Sequence, residues 1–193
     1  MNIIYLLFHG LSPYSGISKK ILHQVKGFEA CGHRVSLCTY SIADNGHRVR
    51  MINNEIIEDY GTGKPAAAKR RVSYQCIYRY AITHQVELIY VRSFHNANPF
   101  TIRLFSKLRK AGIKIAMEIP TYPYDSEYAG FPLVTRLGIQ VDKVFRKTLA
   151  KHVNAIVTFS DYHCIFGQRT IQISNGVDFD SIPLKKTVSK NTS

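Results

Sequence analysis

Three strand-like apolar runs in this chain each end on residues that could handle a ligand, and a fourth such segment lies near residue 175. The first, residues 9–16 (HGLSPYSG), closes with Ser15 and Gly16 just before apolar residues begin to recur at helical spacing. A helix start offers unpaired backbone N–H groups, and a glycine there lets an anion approach the main chain, which is phosphate chemistry. Five residues separate Gly10 from Gly16 and Ile17 follows, so this is neither G-x-G-x-x-G nor G-x-x-x-x-G-K-S/T. A plain turn into a helix stands as the other reading. The second segment begins at Arg92, after VELIYV, and the third is EIPTYPYD, with Glu118 at its head and Tyr122 and Tyr124 within it. Tyrosine presents an apolar face and a hydroxyl, which suits a sugar. Glu118, a carboxylate at a strand end, is the candidate catalytic residue, and Arg92, Tyr122 and Tyr124 are candidates for binding a ligand. Arg92 has two open readings, holding a charged ligand group or neutralising Glu118. The fourth segment, ISNGVD, contains Asn175 and Gly176.

Other chemistries lack their patterns. The eight histidines form no H-x-H or H-E-x-x-H, and Cys31, Cys38, Cys76 and Cys164 form no C-x-x-C. No metal, cofactor or disulfide is expected, and Cys38 and Cys76, among apolar neighbours, read as buried thiols. There is no G-x-S-x-G elbow to nominate a nucleophilic serine.

The elements that must position these residues alternate. Continuous apolar runs at residues 2–8, 34–39, 86–91, 113–119 and 155–159 read as strands buried on both faces, with a last short strand at 170–174. Helices are expected after residue 16, closed by Gly32, over 66–84, over 99–111, closed by Gly112, and over 132–152. Residues 41–63 yield only a short strand near 49–57. Such alternation predicts a doubly wound α/β fold with helices on both faces of a mostly parallel sheet. Ligands in such sheets bind beyond the carboxyl ends of the strands, which is where the candidate residues fall. In the 133–152 helix, Val134, Leu137, Val141, Val144, Phe145 and Leu149 are expected on the core side, with Arg136, Lys143, Arg146, Lys147 and Lys151 mostly elsewhere.

Twenty-six Lys and Arg against thirteen Asp and Glu give a net charge of +13, and 45% of the chain is hydrophobic. This excludes a disordered or fibrous chain and fits one domain. The charge suits an anionic membrane surface or a polyanion, and no nucleic-acid-binding signature accompanies it. The run at 3–8 has no basic region before it and no cleavage site after it, so a cytoplasmic location is expected, in places peripheral to a membrane. Residues 184–193 are expected to be a loose linker.

Taken in order, the opening strand and glycine loop of residues 2–16, the strand start Gly32-His33-Arg34-Val35 and Asn175-Gly176-Val177-Asp178 resemble the amino-terminal domain of glycosyltransferase family 4. The resemblance covers residues 1–183. It implies half of a GT-B enzyme with two Rossmann-like domains, transferring a sugar from a nucleotide-sugar to a glycan or lipid-linked acceptor with retention. It further implies that Ser15, Gly16, Asn175 and Gly176 lie towards the donor, that Arg92, Tyr122 and Tyr124 lie towards the acceptor, and that Glu118 stands where many relatives place a histidine. The family's E-x7-E motif is not found in this sequence, so a carboxy-terminal donor-binding domain is expected beyond it. A stand-alone nucleotide- or polyanion-binding module is the alternative.

Overall fold

The computed structural model describes residues 1–92, 96–123 and 133–174, the side chain of Val134 excepted. Tyr124, Asn175, Gly176 and the expected boundary at residue 183 lie outside the described residues. The elements run β1 (Asn2–Leu6), α1 (Gly16–Ala30), β2 (Arg34–Ile42), β3 (Arg48–Ile52), β4 (Glu55–Asp59), α2 (Gly63–Val72), α3 (Gln75–Thr83), β5 (Leu88–Arg92), α4 (Pro99–Lys110), β6 (Lys114–Ile119), α5 (Leu133–Ala150), β7 (Ala155–Thr158), β8 (Cys164–Ile165) and β9 (Gln168–Gln172). They form a nine-stranded sheet of order β4-β3-β2-β1-β5-β6-β7-β9-β8. Strands β2, β1, β5, β6, β7 and β9 are parallel, and β3, β4 and β8 join them antiparallel. The expected doubly wound α/β fold is what the chain adopts.

The apolar run of β1 is continuous because both its faces are covered. Ile3 and Tyr5 pack with Ile21 and Val25 of α1, while Ile4 and Leu6 pack with Ile77 of α3 and Leu104, Phe105 and Leu108 of α4. Fully burying side chains of this kind is worth about 1.5–3 kcal/mol each. The chain leaves β1 towards β2 on one side and returns at β5 on the other, so the order reverses between β1 and β5. That reversal opens a crevice at the carboxyl ends of the two strands. Gly32 (φ 79°) and Gly112 (φ 83°) close α1 and α4 in the left-handed region, as expected. Asn98 caps α4, its side chain accepting from the Phe100 and Thr101 amides.

Several expectations are corrected. The single strand near residues 49–57 is a hairpin, β3 and β4, turned by Asn53 and Asn54, both at positive φ. The 66–84 helix is two helices, because Ser73 leaves the helical region at ψ 108°. Helix α5 is rotated from its expected orientation: Leu149 is buried as expected, but so are Ile139, Asp142 and Ala150, whereas Leu137, Val141 and Val144 face outwards. The helix packs on α4, which selects the narrower stripe containing Asp142. Cys38 and Cys76 are buried as expected, and all four cysteines are free thiols. Among the described residues no helix is long and apolar enough to cross a membrane.

Candidate functional site

Two polar constellations sit at the carboxyl edge of the sheet, on opposite faces. The first faces α1. Alternation along β5 and β6 turns Tyr90, Arg92 and Glu118 to one side, and the parallel register sets Arg92 beside Glu118. The Arg92 guanidinium donates to Glu118 Oε1 at 2.5 Å, and the Tyr90 hydroxyl and the Gln24 amide donate to Oε2 at 2.8 and 2.9 Å. Tyr5 in turn donates to Gln24 Oε1 at 2.5 Å. Burial and then the Glu118 charge push both the Tyr5 and Tyr90 phenols above their ordinary range, so both remain donors. Lys20 of α1 lies 3.5 Å from the centre of the Phe159 ring, and partial burial lowers its ammonium while the Glu118 charge acts to raise it.

Of the two readings of Arg92, the structure contains neutralisation of Glu118. The Glu118 side chain has 0% exposure and the Arg92 side chain 9%, and their polar atoms face each other. The network positions strand ends. Ser15 and Gly16 open α1 on the same face. Ser15 makes no side-chain cap bond, no acidic residue lies in the first turn, and a Cβ at Gly16 would meet nothing within 4 Å. This helix start is therefore open to an anion. Tyr122 follows β6, its amide bonded to Ser160 Oγ and its ring edge-on to Tyr162 and Phe166. Arg92 and Glu118 are thus brought together, while Tyr122 belongs to a separate aromatic group.

The second constellation occupies the crevice between β1 and β5, on the face of the sheet carrying α2 to α5. It is a cavity of about 510 Å³, bounded by residues 8–10 after β1, Tyr40 of β2, Arg50 of β3, residues 70–72 at the end of α2, residues 96–98 after β5 and one side of α5. Gly10 is required here, because a Cβ would stand 2.9 Å from the Tyr40 carbonyl oxygen. Asp142 of α5 accepts from the Ala97 amide at 2.9 Å and so fixes the wall made by residues 96–98. Phe8, Tyr74 and Phe100 supply aromatic surface, and Arg50, Arg70 and Arg71 supply charge. A volume of this size accommodates a small ligand or a sugar-sized part of a larger one.

None of the arginines in this cavity was singled out as a site residue from sequence. Arg50 alternates with Arg48 and Ile52 on one side of β3, a period-2 pattern that could have marked its inward direction had the strand been recognised. No group of three or more His, Cys, Asp or Glu among the described residues is placed to hold a metal ion. No family model, curated protein or solved structure matches this chain.

Proposed function

We propose that this chain is the acceptor-side domain of a retaining GT-B glycosyltransferase, using a nucleotide-sugar donor and a glycan or lipid-linked acceptor. The supporting observation is the 510 Å³ cavity at the β1/β5 reversal, aromatic-walled and sited beyond the strand ends. The open α1 start supports the donor half of the reading. Retaining transfer requires stabilisation of an oxocarbenium-like centre and of the departing diphosphate, and uncapped N–H groups at a helix start serve the second need. Gly16 and Ser15 are the residues proposed to approach that diphosphate. A second Rossmann-like domain brings the donor. Arg92 and Glu118 enter as positioning residues that hold the ends of β5 and β6.

In full-length protein, a panel of nucleotide-sugars with glycan and prenyl-linked acceptors is expected to give transfer with retained anomeric configuration, read by nuclear magnetic resonance of the product. Absence of transfer and of nucleotide-sugar binding, with salt-sensitive oligonucleotide binding instead, would favour the polyanion-binding module.

An anionic membrane surface is a proposed partner under the same reading. Helix α5 exposes Leu133, Leu137, Val141 and Val144, and Arg136 and Lys147 on the same helix are also exposed, the composition of a helix that lies against anionic headgroups. Sedimentation with phosphatidylglycerol vesicles is expected to fall at least about fivefold in Leu137→Asp/Val144→Asp, since each change removes roughly 2 kcal/mol of apolar insertion. Recovery equal to the parent's would remove the membrane from the proposal.

A further inference from the structure

Arg50 is a buried cation that forms no ion pair with a carboxylate among the described residues, although Glu58 stands opposite it in the β3–β4 register. It is 1% exposed, its Nη1 donates to the Leu7 carbonyl at 2.8 Å, and its Nε has no acceptor among the described residues. The ionisable groups nearest it are neutral ones. Burial pushes the Cys38 thiol up to about 12 against the opposing effect of Arg50, and burial likewise holds the Tyr60 phenol above its ordinary range. Asp142, the closest acidic residue on α5, turns Oδ1 to the Ala97 amide, and Glu58 lies beside Lys69 and Arg79. Among the described residues no Asp or Glu lines the cavity.

The other cations at the cavity reinforce this imbalance. Arg70 stacks 4.1 Å above the centre of the Tyr40 ring, and its Nε also lacks an acceptor among the described residues. Arg71 adjoins it, Arg48 donates to the Tyr40 hydroxyl, and the start of α4 adds its positive end at residues 98–100. The Asn96 amide Nδ2 is another buried donor without an acceptor among the described residues. An uncompensated buried guanidinium costs several kcal/mol, and guanidinium forks match phosphate oxygens in pairs. Three arginines exceed what a single carboxylate would neutralise and suit a diphosphate. The cavity also carries Phe8, Phe100, Ile139 and Val141, and Val141 continues into the outward apolar stripe of α5.

We propose that this cavity binds the diphosphate or phosphate ester of an amphipathic molecule, its oxygens on Arg50, Arg70 and Arg71 and its apolar portion passing Val141 onto α5. That this molecule is the sugar acceptor rests on the glycosyltransferase reading; the anion site itself rests on the arginines.

Calorimetric titration of the chain with inorganic pyrophosphate and with farnesyl diphosphate tests both halves. The parent is expected to bind both, the farnesyl ester at least about tenfold more tightly, because burying even a few methylenes is worth more than 1.4 kcal/mol. Arg70→Gln, partly exposed and so safe for folding, is expected to weaken both ligands at least about tenfold, the loss of a charge-assisted pair. Arg50→Lys, checked for folding by circular dichroism, should weaken them while keeping the charge. Unchanged affinity in Arg70→Gln, or no binding of either ligand by the parent, would overturn the anion site. Equal affinity for the two ligands would overturn the amphipathic assignment. Sugar transfer whose acceptor KM is indifferent to Arg70→Gln would overturn the assignment of this site to the acceptor alone, whereas diphosphate binding by a full-length protein that transfers no sugar would overturn only the glycosyltransferase reading.

Discussion

Glu118→Leu is expected to destabilise the fold by about 3–5 kcal/mol, because it strands the Arg92 guanidinium in a site that is closed to water. Arg92→Met should cost a comparable amount by stranding the carboxylate. The double variant should cost much less than the sum, since replacing both members of a buried pair with apolar groups of similar size is often close to neutral. For a chain of this length the single changes correspond to a loss of about 6–20 °C in Tm. Glu118→Gln is the informative intermediate. Its amide oxygen can still accept from Tyr90 and Gln24, but its NH2 would face the Arg92 donors. Denaturant unfolding of the four proteins gives the coupling energy directly. Additive losses, or a single-variant loss below about 1 kcal/mol, would show that the pair is not what holds the ends of β5 and β6. Under the proposed glycosyltransferase function, a full-length Glu118→Gln protein of parental stability with kcat greatly reduced would instead return Glu118 to the reacting atoms.

The residues that were legible before folding were those whose environment is local. The runs that became β1, β5, β6 and β7 are apolar on both faces because helices cover both, and Gly32 and Gly112 announce left-handed stops by having no Cβ. What was illegible depended on partners distant in sequence. Arg50 and Arg48 fall in or beside the short strand read near 49–57 with no role assigned, yet pairing of β3 with β2 places Arg50 opposite Tyr40 and under Phe8. The Asn53-Asn54 turn did carry a signal, because asparagine tolerates the left-handed region, but the polar strands around it lacked the apolar runs that identify buried β structure. Helix α5 has two apolar stripes, and only its packing on α4 decides which one is buried. Among the candidate site residues, Arg92 and Glu118 were each placed at a strand end from sequence, and the structure sets those ends side by side. Their mutual neutralisation follows from a register that no local pattern encodes.

The rotated face of α5 explains why a carboxylate sits on its buried side, and this leads to the second large effect. Asp142 is 2% exposed and accepts from the amide of Ala97, itself 3% exposed, 45 residues earlier in the chain. Asp142→Leu would remove a charged acceptor and leave that amide without a partner, at a cost of about 2–3 kcal/mol. Asp142→Asn retains an oxygen that can accept from the same N–H and should cost less than about 1 kcal/mol. Because residues 96–98 form one wall of the cavity, and Asn98 also caps α4, the leucine variant should loosen the wall more than it melts the helix. Amide hydrogen exchange is expected to speed up at Ala97 before it does so in the centre of α4, and pyrophosphate affinity should fall alongside it. Parental exchange at Ala97 in Asp142→Leu would mean that α5 does not hold this wall, and the cavity would then owe its shape to β3 and α2 alone.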